Sequence, residues 1–235
     1  MPAIEAILFD KDGTLVDFEA TWGPTYLAAA ERLFGGDAEA VSRALRDGGM
    51  TADGSFAPGT LLAAGSYEEI AADWAARLDG VDTGAALSII TPLFQEGAVA
   101  NAKPIVDIAA LFADLASLGF RIGVATNDSE VSARKTMECL AAKVEFVVGC
   151  DSGYGGKPDP GMFNAFWAAL GLTPGTVAMV GDNVHDLEMG RRGGAGLLIG
   201  VLSGASGEAD LAPHADHVVA DVGYLADLLG PRTEP

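Results

Sequence analysis

From Pro104 onward the chain alternates two apolar rhythms. Helical spacing from Pro104 to Leu118, stopped by Gly119, gives way to a short apolar run from Arg121 to Thr126. A helix from about Ser129 to Ala141, a strand from Glu145 to Gly149, a helix from Gly161 to Leu170 and a strand from Thr176 to Gly181 follow. A further helix opens near Val184. Strands from Leu197 to Leu202 and from His217 to Val219 come next, and Asp221 is placed to cap a last helix. At the other end of the chain, Ile4 to Phe9 is apolar along nearly its whole length, which suits a strand covered on both faces of a parallel sheet. The pattern predicts an α/β fold, a doubly wound, mostly parallel sheet whose first strand is N-terminal.

Between these parts the rhythm changes. Residues from about Asp17 to Ala102 show no comparable strands and read as alanine-rich helices separated by Gly and Pro. Ser66-Tyr67-Glu68-Glu69 is a capping box, and Ile70, Trp74 and Leu78 follow at helical spacing as packing residues. The stretch from Asp47 to Gly59 is the most loop-like part. The expected division is a core domain of residues 1–16 and 103–235 and an inserted helical domain of residues 17–102.

Composition narrows the function. With 235 residues, 49% of them hydrophobic, the chain can bury a sizeable core. No stretch approaches the roughly 18 consecutive apolar residues of a membrane span. Glu5, Asp10, Lys11 and Asp12 interrupt the N-terminal apolar run where a signal peptide needs continuity, so a cytoplasmic location is expected. Fourteen basic against 33 acidic residues give a net charge of −19, which opposes nucleic acid and anionic membranes as partners. An anionic substrate would need local cations. The two cysteines, Cys139 and Cys150, have no metal-type spacing and are expected to be reduced.

The chemistry gathers at the ends of predicted strands. Ala6-Ile7-Leu8-Phe9 runs into Asp10-Lys11-Asp12-Gly13, two carboxylates one residue apart that point the same way on an extended chain. This turn offers a nucleophile, an acid/base and metal ligands together, and a divalent cation accounts for two acids held so close. Thr126 and Asn127 end the next strand with a hydroxyl and an amide that can donate to phosphate oxygens. Lys157 sits in the loop Gly155-Gly156-Lys157-Pro158-Asp159-Pro160. Gly181-Asp182-Asn183-Val184-His185-Asp186 brings two more acids to a strand end.

Each piece alone has an ordinary explanation. Asp10 to Gly13 fails as a calcium loop, because Thr14 and Thr21 occupy the fifth and twelfth positions and a strand precedes it. Gly155-Gly156-Lys157 fails as a nucleotide P-loop, because Asp151 replaces the upstream glycine and Pro158 the Ser or Thr. Asp182, taken alone, reads as a helix N-cap. Arg43 and Arg46 read as solvated arginines on a helix face, and His185 as structural.

Taken together and in this order, the four motifs resemble the haloacid dehalogenase superfamily and, within it, the phosphoglycolate phosphatase-like phosphatases. The resemblance covers roughly residues 3–17 and 103–229. It implies a Rossmann-like core with an inserted helical cap that closes over the site and selects the substrate. It implies a nucleophilic Asp10 that forms an aspartyl-phosphate and an Asp12 that protonates the leaving alcohol and then activates water. Thr126 and Lys157 would hold the phosphoryl oxygens, with Asn127 beside them. Mg²⁺ would bind the carboxylates of Asp10 and Asp182 and the backbone carbonyl of Asp12, with Asp186 ordering metal-bound water. The resemblance implies a small phosphorylated metabolite as substrate, with phosphoglycolate one candidate, and Phe18, standing where those members carry a small polar residue, argues against phosphoglycolate itself. A β-phosphoglucomutase-like sugar-phosphate mutase and a non-catalytic metal- or phosphate-binding module are the alternatives.

Overall fold

The computed structural model describes residues 3–230. The chain divides into two compact units, Met1–Asp17 with Pro104–Pro235, and Phe18–Lys103. Residues 1–2 and 231–235, assigned above to the core domain, lie outside the described residues.

In chain order the elements are β1 (Ala6–Phe9), α1 (Phe18–Leu33), α2 (Ala38–Asp47), α3 (Leu61–Ala64), α4 (Tyr67–Ala75), α5 (Thr83–Ala100), α6 (Ile108–Ser117), β2 (Arg121–Ala125), α7 (Glu130–Cys139) and β3 (Phe146–Val148). They continue with α8 (Gly161–Leu170), β4 (Val177–Gly181), α9 (Val184–Gly193), β5 (Leu197–Val201), α10 (Glu208–Leu211), β6 (His217–Val219) and α11 (Leu225–Leu229). The six strands form one parallel sheet in the order β3-β2-β1-β4-β5-β6. The chain builds outward from β1 to β3, then returns to the other side of β1 with β4. That reversal beside β1 is the topological switch point at which open α/β sheets bind ligands, outside the carboxyl ends of the strands.

Alternation along β1 divides the core of this unit. Ile7 and Phe9 face a layer built with Ile108, Phe112 and Leu115 of α6, Met137 of α7 and Leu225 of α11. Ala6 and Leu8 face the opposite layer with Phe163 and Phe166 of α8 and Leu187 of α9. All four β1 side chains are fully buried, as the uninterrupted apolar run requires.

Predicted boundaries moved where a cap or bridge competes with helix. The helix expected from Pro104 begins instead at Ile108, because Asp107 accepts a hydrogen bond from Ala110 N (3.0 Å) while Val16 and Pro104 form an antiparallel bridge. Ser129 caps α7 rather than joining it. Asp221 does cap, but the turn it opens is a 3₁₀ segment, Val222–Tyr224, before α11.

The helical unit packs aromatic rings. Trp22 and Tyr26 of α1 stack with centroids 5.0 Å apart, and Phe94 of α5 meets Tyr26, Tyr67 and Trp74 edge on at 5.3, 4.9 and 6.1 Å. A side chain at Gly97 would strike Thr25, so α5 needs a glycine to lie close to α1. Ile70 and Trp74 are buried and Leu78 packs against the same cluster. Ser66 and Glu69 make the reciprocal capping box. Among the described residues no helix is long and apolar enough to cross a membrane. Cys139 and Cys150 are not joined in a disulfide.

Candidate active site

Phe9 lies opposite Val124 of β2 and Val180 of β4. That register, prolonged by the Asp10 N to Val180 O bond (2.8 Å), carries Asp10 to the level where Thr126 and Asp182 leave the neighbouring strands. The chain then turns tightly, with Leu15 N and Val16 N both donating to Lys11 O (2.8 and 3.0 Å). Gly13 makes this possible twice over. It holds φ +87°, and a Cβ there would come within 2.6 Å of the Asp182 carboxylate.

Asp10, Asp182 and Asp186 are buried together, with one carboxylate oxygen from each lying within 4.8 Å of the others. The Lys157 ammonium, also buried, pairs with Asp10 Oδ1 and with Asp186 Oδ1, the latter at 2.6 Å. Asp186 is aimed by a helix cap, since its Oδ2 accepts from Asn183 N at 3.0 Å. Asn183, not Asp182, is the N-cap of α9. Asp182 is thereby released from capping, and accepts instead from Thr14 Oγ1 (3.3 Å) and Ala205 N (3.0 Å). Asn127 turns its amide to the lysine loop, with Oδ1 accepting from Lys157 N (2.8 Å) and Nδ2 donating to Lys157 O (3.5 Å). It therefore holds the segment that presents Lys157. Thr126 Oγ1 donates to Asp12 Oδ2 at 3.4 Å. The structure thus brings Asp10, Asp12, Thr126, Asn127, Lys157, Asp182 and Asp186 to one end of the sheet.

The electrostatics follow from burial. Desolvation pushes the Asp10 carboxyl up to about 6, against the pull of Lys157 and with the help of Asp186. Asp182 is raised well above the carboxylate range by burial and then by Asp10 and Asp186. Burial works against the charge of Lys157, yet Asp10 and Asp186 outweigh it and raise the amine. Three carboxylates against one ammonium leave this quartet a formal charge of −2. Asp10 Oδ2 is buried without a hydrogen-bond partner. Hard oxygen donors in one buried cluster and a matching charge fit a divalent cation such as Mg²⁺, with Asp10, Asp182 and Asp186 the residues able to hold it.

Two participants escaped the sequence reading. Lys11, between its two aspartates, and Asp128, after Asn127, carry no assigned role in the sequence. Both are buried beside Asp12, where Lys11 Nζ lies 2.7 Å from Asp12 Oδ1 and 3.0 Å from Asp128 Oδ2. A third group, the loop after β5, closes on the site, with Ser203 Oγ donating to Gly13 O (2.7 Å) and Gly204 so near Asp182 that a Cβ would overlap it. An acid directly after the Thr126-Asn127 pair was the available signal for Asp128; Ser203 to Ala205 carried none. Arg43 and Arg46 pair with Glu39 and Asp47 on the helical unit.

The parallel sheet in this strand order, with a buried aspartate at the end of β1 and a lysine and two further acids around it, marks an α/β protein with an acidic site at its switch point. Residues 4–194 match the family described as haloacid dehalogenase-like hydrolase, and the chain belongs to that family. A phosphoglycolate phosphatase from Rhodospirillum rubrum is 31% identical over 96% of this chain and 91% of its own length. The N-acetylmuramic acid 6-phosphate phosphatase of Pseudomonas aeruginosa is 27% identical over 81% of this chain and 79% of its own. A HAD family hydrolase from Deinococcus radiodurans, solved with bound phosphate and sodium, shares the fold with a TM-score of 0.67 at 20% identity, covering 100% of both chains.

Proposed function

We propose that this chain is a Mg²⁺-dependent phosphomonoester hydrolase that works through an aspartyl-phosphate on Asp10 and takes a small phosphorylated metabolite, with phosphoglycolate the leading candidate. The observation that carries this reading is the Asp10 carboxylate, with one oxygen held by Lys157 and the other buried and unpartnered at the switch point of the sheet. An oxygen so placed can attack phosphorus in line while its own charge is offset. Lys157 neutralises both the nucleophile and the phosphoryl oxygens, and the Thr126 hydroxyl donates to those oxygens. Asp12, partly exposed where the others are buried, reaches the leaving oxygen. It gives that oxygen a proton as the P–O bond breaks, then takes one from the water that attacks the Asp10 phosphate. Asp10, Asp182 and Asp186 would hold the Mg²⁺, which would supply further positive charge against the phosphoryl oxygens. The substrate class draws support from relatives whose names, phosphoglycolate phosphatase and N-acetylmuramic acid 6-phosphate phosphatase, denote phosphomonoesters.

The test is phosphate release from a panel containing phosphoglycolate, hexose phosphates and N-acetylmuramic acid 6-phosphate, with Mg²⁺ and with a chelator. Mg²⁺-dependent release from one compound well above the rest is expected. Isomerisation of a sugar phosphate without release would make the protein a mutase, and absence of both reactions would contradict catalysis.

A further inference from the structure

Burying an ammonium is costly, and a buried ion pair is seldom more stabilising than apolar side chains of the same size. Lys11 is nevertheless fully buried at a strand end, with its amine between Asp12 and Asp128. Asp128 is itself fixed, its Oδ2 accepting from Ser132 Oγ (2.7 Å) and its Oδ1 from Ser129 N (2.6 Å) at the start of α7. The ring closes through Thr126. Asp128 N donates to Thr126 Oγ1 (3.0 Å), which donates to Asp12 Oδ2 (3.4 Å). Before substrate enters, both oxygens of Asp12 are thus tied, one by Lys11, which Asp128 holds, and one by the single O–H of Thr126; once that O–H serves the phosphoryl oxygens, the Lys11 tie remains.

We propose that Lys11 and Asp128 are positioning residues for Asp12, holding its carboxylate where it meets the leaving-group oxygen. The inference rests on the phosphatase reading above. Neither residue touches the reacting atoms; they act by fixing the group that does. A displacement of about 1 Å in such a group is enough to cost on the order of 10²-fold in rate. The cost should depend on the leaving group. An alkoxide needs the proton from Asp12 as the P–O bond breaks, whereas p-nitrophenolate departs without it.

The experiment compares kcat/KM for the best alkyl phosphate of the panel and for p-nitrophenyl phosphate in wild type, Asp12→Asn, Lys11→Met, Asp128→Asn and Ser132→Ala. Lys11→Met and Asp128→Asn are expected to lose about 10²-fold on the alkyl ester and less than about 10-fold on the nitrophenyl ester, with KM little changed. Asp12→Asn should show the same bias more strongly, and Ser132→Ala more weakly. If Lys11→Met does not fold, Asp128→Asn and Ser132→Ala decide the matter. Equal losses on both esters would reduce the pair to a structural role, and wild-type rates on both would also overturn the inference. A wild type that hydrolyses neither ester, or an Asp12→Asn without bias, would overturn the acid assignment and this inference with it.

Discussion

In the helical unit the interior is closed by rings, with Trp74 and Phe94 fully buried among Trp22, Tyr26 and Tyr67, and the charged side chains of Arg43 and Glu39 paired in solvent. In the α/β unit the strand ends bury Asp10, Asp128, Asp182 and Asp186, with Lys11 and Lys157 the buried cations among the described residues, and Asp12 adjoins the cluster. The first arrangement is stabilised by apolar burial. The second keeps an excess of negative charge out of water, which disfavours the fold and suits the cation-holding, anion-attacking site proposed above. Stability and chemistry are therefore separable by residue in this molecule.

The largest stability effect is expected on the aromatic side of this comparison. Trp74→Ala should cost roughly 3–5 kcal/mol, read by urea denaturation, because it opens a large cavity in a fully packed cluster. On the charged side the sign reverses. The folded protein keeps a proton on Asp10 between about 3.8 and about 6, where the unfolded chain has lost it, so stability declines as the pH rises through that window. Asp10→Asn removes this cost and should raise the stability of chelator-treated protein at pH 7 by up to roughly 3 kcal/mol. The same linkage sets the response to Mg²⁺. The rise in melting temperature on adding the ion should be large at pH 7 and shrink on acidification below about 6, as protons compete for Asp10. The smallest effect falls on the solvent side of the helical unit, where Arg43→Ala should change stability by about 0.5 kcal/mol or less and leave phosphate release unaltered. A stabilising Trp74→Ala or a strongly destabilising Asp10→Asn would erase the contrast.

How far the sequence revealed this division depends on how local its causes are. The uninterrupted apolar run of β1 and the acids after β1 and β4 announce a buried parallel sheet with a charged carboxyl end, because strand periodicity and strand ends are local properties. The capping box at Ser66 was legible for the same reason. The Lys11 and Asp128 pair was not, since the two residues lie far apart in sequence and meet only once β1 and β2 are paired. Strand alternation would set Lys11 and Asp12 on opposite faces, yet the Lys11 amine lies 2.7 Å from Asp12 Oδ1. Asn127 shows the subtler limit. Its residue type suggested a phosphate donor, whereas its amide is engaged with the backbone of Lys157, a partner supplied by a loop 30 positions away.

The central claim is that Asp10 is the nucleophile of a phosphatase. Phosphate release by wild type and by Asp10→Asn at saturating Mg²⁺, on the best substrate of the panel, tests it most directly. The account predicts a loss of at least about 10⁴-fold with the variant still folded. Release by a folded Asp10→Asn at a rate near that of the wild type would contradict it.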